Sequence, residues 1–200
     1  RDGKDVILFE CKDVKIPKEV KAEGTIQRLL DEVDKDFVGY LDTKKNKWRY
    51  KGVGQLVRNA KRIQEGEFAW DKDADKDSRI FLVLVLADAR QVASGWKNYL
   101  QKKMFEECVR QEIDNKRICP LILTDLGTLT LYKDNFKKYG FLQYFVSYCQ
   151  KTTFIHSAIL IGDMMTNVMN QTMSFSVYMN SERLLGGDEL RKDVMGAITK

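Results

Sequence analysis

The segment Arg79-Ile80-Phe81-Leu82-Val83-Leu84-Val85-Leu86-Ala87 constrains this chain more than any other. From Ile80 to Leu86 it is an unbroken run of leucine and β-branched or aromatic residues with no polar alternation. A strand with one wet face alternates apolar and polar side chains, because successive residues point to opposite sides. A run that is apolar at every position needs cover on both faces, as parallel strands with helices above and below provide. The run is also far too short to cross a bilayer as a helix.

The other elements are read around that strand. Val6–Lys12 is a strand, and Pro17 opens a charged helical stretch over Lys18–Asp36. Asp42–Lys51 reads as a basic loop carrying aromatics. Gly52–Gln64 has helical spacing of Val53, Leu56, Val57, Ala60 and Ile63, and Gly66 ends it. Asp71–Ser78 is a polar loop. A long helix is expected over Val92–Lys116, a short buried strand over Pro120–Thr124, and a turn at Asp125-Leu126-Gly127. Further on, a helix over Phe141–Cys149, a strand over Phe154–Ile161, and helices over Asp163–Met173 and Asp188–Ile198 complete the reading. Strands alternate with helices and no linker or repeat divides the chain. The expectation is one α/β domain, residues 1–200, with a mixed central sheet flanked by helices. Residues 1–140 form its core and 141–200 an extension.

Composition narrows the chemistry. The 200 residues hold one histidine, His156, so histidine metal clusters are excluded, and its apolar setting reads as structural. Four scattered cysteines form no C-x-x-C pair, which argues against a zinc ribbon and fits a reducing, cytoplasmic setting without disulfides. A net charge of +5 permits a polyanionic partner. The start, Arg1-Asp2-Gly3-Lys4-Asp5, reads as a turn between two strands, so further protein upstream is expected.

The first strand carries the sharpest chemistry. It ends Phe9-Glu10-Cys11-Lys12. Positions i and i+2 share a face, so Glu10 and Lys12 project together while Cys11 points away. A paired acid and amine at the end of a buried strand could hold a hard cation and position a water. The plainer readings are a strand running out of the core with both groups solvated, and a local ion pair on an unrelated α/β protein. Gln55, Arg58 and Arg62 fall on one side of their helix. With Lys44, Lys45, Lys47, Arg49 and Lys51 they could wall a nucleic-acid backbone, and Trp48 and Tyr50 could stack on bases. Gly52-Val53-Gly54 lacks a preceding apolar strand and a third glycine, so it is no dinucleotide loop. Asp73, Asp75 and Asp77 lack the glycine and distal glutamate of a calcium loop. Met164, Met165, Met169 and Met173 read as core contacts.

The order of these elements resembles the PD-(D/E)xK nuclease superfamily, the restriction-endonuclease-like fold. Phe9-Glu10-Cys11-Lys12 matches the D/E-x-K strand, Gly52-Val53-Gly54-Gln55-Leu56 opens a helix like the family's glutamine-bearing helix, and Arg79–Ala87 matches the strand that follows. The resemblance implies phosphodiester hydrolysis with Mg2+ or Mn2+, on DNA rather than RNA. It implies Glu10 and the Cys11 backbone carbonyl as metal ligands, Lys12 serving the attacking water, and Gln55 supporting it. The family's first acidic residue would lie on a strand before Arg1. Asp5, an odd number of positions from Glu10, faces the other way and does not replace it. A non-catalytic nucleic-acid-binding or protein-interaction domain on the same fold is the alternative.

Overall fold

The computed structural model describes residues 4–23, 25–71, 73–75, 77–89, 92, 94–153 and 173–184. Strand β1 (Asp5–Lys12) leads into helices α1 (Lys18–Glu23) and α2 (Ile26–Phe37). A hairpin of β2 (Gly39–Asp42) and β3 (Lys47–Tyr50) follows, then helix α3 (Val53–Gln64). Strand β4 (Arg79–Leu86) precedes the long helix α4 (Ser94–Arg110). Strand β5 (Ile122–Asp125) is followed by α5 (Leu126–Leu131), α6 (Lys133–Tyr139), α7 (Phe141–Thr153) and α8 (Phe175–Leu184).

The main sheet has the order β1-β4-β5 and both of its pairings are parallel. Leu84 is the register partner of Glu10, and Leu86 of Lys12. The uninterrupted apolar character of β4 is explained by its central place and two covered faces. Ile80, Leu82, Leu84 and Leu86 join one core cluster, together with Val6 and Leu8 of β1 and Val57, Ala60 and Ile63 of α3. Phe81, Val83 and Val85 enter a second cluster, built largely from aromatics of α6, α7 and α8 such as Phe136, Phe145 and Tyr178.

The described residues correct several expectations. The central sheet is parallel rather than mixed, because its strands are joined by helical crossovers; the antiparallel pairing lies in the separate β2–β3 hairpin. That hairpin replaces the loop expected over Asp42–Lys51. It turns through Thr43–Asn46, where Asn46 takes the left-handed φ of 44° that asparagine tolerates. The helical stretch Lys18–Asp36 is two helices, because the Thr25 side chain accepts the Arg28 N–H and caps a new one. Helix α4 ends at Arg110, well before Lys116. Glu112 adopts φ 56° and the Ile113 N–H bonds back to the Cys108 carbonyl, a Schellman-type closure. Asp125-Leu126-Gly127 is no turn: the Asp125 carboxylate accepts the Thr128 N–H and caps α5. The elements expected over 154–161 and 188–198, most of that over 163–173, and His156, Met164, Met165 and Met169 lie outside the described residues.

All four cysteines are free thiols. Among the described residues no helix is long and apolar enough to cross a membrane.

Candidate functional site

The site begins where β1 leaves its cover. Val6 and Leu8 are buried against the α3 side of the sheet. Alternation carries Glu10 and Lys12 onto the same face, one and two steps beyond the packed residues. There they are about four-fifths covered, with side chains 20% and 19% exposed. Lys12 Nζ lies 2.7 Å from Glu10 Oε1. Cys11 points to the opposite side and is exposed.

Gln55 joins this pair from α3. Its Oε1 accepts a hydrogen bond from Lys12 Nζ at 2.9 Å and another from the Gly52 N–H at 3.2 Å. The second bond is a capping interaction, in which a glutamine in the first turn satisfies an open N-terminal donor. The first bond makes the same oxygen an anchor for the ammonium. An ammonium has three donors. Lys12 spends one on Glu10 and one on Gln55, which leaves one directed at neither.

The two glycines ahead of Gln55 set the approach of α3. Gly52 has φ 45°, and a Cβ there would stand 2.6 Å from the Phe37 carbonyl oxygen. A Cβ on Gly54 would overlap the Val38 carbonyl. The glycines therefore allow backbone-to-backbone contact between the start of α3 and the junction of α2 with β2.

A groove of about 320 Å³ runs on from Gln55. Lys47, Trp48, Arg49 and Tyr50 of β3 form one wall; Gln55, Arg58, Asn59 and Arg62 of α3 form the other. Among the described residues no carboxylate lines it. A larger cavity of about 660 Å³ adjoins it, shares Tyr50, Arg58 and Arg62, and adds Arg110 and Lys61 with Glu65, Glu67 and Glu112. Arg49 pairs with Asp42 at 3.3 Å and Lys51 with Asp36 at 3.4 Å. Arg58 is exposed and has no carboxylate partner among the described residues. Lys44 and Lys45 stand exposed in the hairpin turn, and Lys47 is exposed beside them.

Arg110 is a member of this surface that the sequence did not single out. Its guanidinium lies 4.7 Å from the Trp48 ring centre and 5.4 Å from that of Tyr50. Glu107, nearly buried, takes its Nε at 2.9 Å. A lone arginine at a helix end reads in sequence as an ordinary complement to the helix dipole, so nothing marked it.

The Lys4 and Lys12 carbonyls accept from Arg79 and Ala87 on the β4 side. By alternation the Cys11 carbonyl faces the outer edge of β1, which has no partner among the described strands. One carboxylate and one peptide oxygen agree in kind with Mg2+, which binds through one or two carboxylates and keeps several waters. Among the described residues, however, no group of three or more His, Cys, Asp or Glu side chains is placed to hold a metal. Asp5 supplies nothing here: it is bound to Arg79 through contacts of 2.8 and 2.6 Å. In the acidic loop Asp71 accepts from the Asp73 N–H, and Asp75 from the Asp77 N–H and the Ser78 hydroxyl.

Comparison of the chain with protein-family models, curated proteins and solved structures found no match.

Proposed function

We propose that this chain is a metal-dependent nuclease domain of the PD-(D/E)xK type, hydrolysing phosphodiester bonds in nucleic acid, with DNA the preferred substrate. The observation that carries the reading is the meeting of Glu10, Lys12 and Gln55, the last of which also lines a groove bearing cations. Glu10 and Lys12 come from one strand, and Gln55 from a helix 43 positions beyond Lys12. Each has the chemistry that hydrolysis of a phosphodiester requires.

Glu10 and the Cys11 carbonyl would hold Mg2+ or Mn2+. Bound there, such an ion lowers the pKa of a water and offsets charge that develops on the phosphate. The remaining roles belong to the chain itself. Lys12 directs its spare N–H at a water or a phosphate oxygen. Glu10 and Gln55 fix the ammonium from two sides, so that its third donor has a set direction. Lys44, Lys45, Lys47, Arg49, Lys51, Arg58 and Arg62 supply the positive surface along which a phosphate backbone is drawn.

A second reading, a non-catalytic nucleic-acid-binding domain, has one observation in its favour. Among the described residues no group of three or more His, Cys, Asp or Glu side chains is placed to hold a metal. Cleavage separates the two. DNA and RNA, single- and double-stranded, would be incubated with the protein in Mg2+ and in Mn2+, alongside Glu10→Ala and Lys12→Ala. The nuclease reading expects metal-dependent cleavage that Lys12→Ala abolishes while binding survives. Binding without cleavage in either metal supports the second reading, and full cleavage by Lys12→Ala rejects the assignment of the site.

A further inference from the structure

Aromatic residues among basic ones ordinarily signal base stacking, and Trp48 and Tyr50 have that setting. Their surroundings give them another task. The Trp48 ring carries Arg110 at 4.7 Å, and its indole nitrogen is buried against the hairpin, where a Cβ on Gly39 would stand 2.8 Å from it. Two guanidiniums lie against the Tyr50 ring, Arg58 at 5.2 Å and Arg110 at 5.4 Å. Both rings are half-buried. A cation over an aromatic face takes up the surface a base would need.

The cations keep capacity for an anion. Arg58 has no carboxylate partner among the described residues. Arg110 gives Nε and Nη2 to Glu107 and also hydrogen-bonds the Tyr50 side chain, so the unpaired capacity on this wall lies mainly with Arg58. Among the described residues the groove beside β3 has no acidic lining side chain, whereas the adjoining cavity mixes Glu65, Glu67 and Glu112 with its arginines. The anion-binding character therefore concentrates between β3 and the start of α3.

We infer that this groove grips the sugar–phosphate backbone and reads no bases, with Trp48 and Tyr50 serving as platforms that hold Arg58 and Arg110. Recognition is then independent of sequence. The inference rests on the nucleic-acid partner proposed above and adds how that partner is held. Phosphate contacts position a nucleic acid without reporting its sequence. They also make affinity fall steeply with salt.

The test uses the full chain in EDTA, so that no strand is cut. Fluorescence anisotropy compares a single DNA strand of about twelve nucleotides with a strand of equal length lacking all its bases, a span typical of single-strand sites. A stacked base is worth roughly 5- to 150-fold in affinity. The inference expects the two strands to bind within about twofold of each other. It further expects Arg58→Gln to weaken both alike and to reduce the slope of log K against log salt by about 1. A loss of about fivefold or more on removing the bases overturns the inference and leaves the nucleic-acid reading standing. Failure of both strands to bind overturns the inference, and failure of duplex DNA and of RNA in the same assay overturns the nucleic-acid reading with it.

Discussion

Lys12 Nζ lies 2.9 Å from Gln55 Oε1, a contact across 43 positions of sequence. The same oxygen caps Gly52. Gln55→Leu keeps approximate size and removes both acceptor functions. We expect cleavage rate to fall by roughly 10²-fold, at the lower end of what a positioned proton-handling group contributes. Stability should fall by about 1 kcal/mol from the lost hydrogen bonds. Single-turnover cleavage and urea unfolding measure the two effects separately; an unchanged rate would remove Gln55 from the site.

Gly54→Ala tests the packing that brings α3 to the strand end. The added methyl overlaps the Val38 carbonyl, and backbone has little room to yield. We expect a loss of about 1–3 kcal/mol in urea unfolding. Gly66→Ala is the control. Its φ of 72° costs something, yet nothing lies within 4 Å of the new atom, so the loss should stay near 1 kcal/mol.

Lys97 of α4 makes stability depend on pH. It is 1% exposed, and burial lowers its pKa from 10.5 to about 8. Between those values the unfolded chain holds a proton that the folded chain has released, so stability rises with pH through that window. Below pH 8 the full penalty applies, about 3 kcal/mol for this shift. Lys97→Met should therefore be more stable than the parent at pH 7, and the difference should shrink by pH 10. Equal gaps at both pH values in chemical denaturation would show that the amine titrates normally in the fold.

Asp5 marks the boundary of the site. It pairs with Arg79, whose side chain is 46% exposed, and points away from Glu10. Pairs this open to solvent contribute about 1 kcal/mol or less. Asp5→Asn should lower stability by no more than that and leave metal-dependent cleavage unchanged. Loss of cleavage would draw Asp5 into the catalytic set.

The sequence disclosed what depends on local pattern. Strand β4 was legible because burial on two faces demands apolar residues throughout. The shared face of Glu10 and Lys12 was legible because strand alternation is a matter of counting. The hairpin was not, since its strands have four residues each, carry Lys47 and Arg49, and expose Tyr40 and Leu41. A weak periodicity over so short a run resembles a basic loop. Helix α5 was hidden because Asp125, which caps it, is as common in turns as at helix starts. The contact of Gln55 with Lys12 depends on how α3 lies against β1, and no residue pattern within either element states that. Arg110 reaches Trp48 from a helix more than forty positions away, so its place against the groove wall is wholly a property of the fold.

The first turn of α3 has two attachments. Gly54 wedges it against the root of the hairpin, and Gln55, the next residue, holds the ammonium of Lys12. The jaw that would clasp a strand and the tooth that would cut it are thus mounted on one short bracket. A ligand that spread the hairpin would tug the amine as it did so, and grip and reactivity would be mechanically linked without any hinge between them.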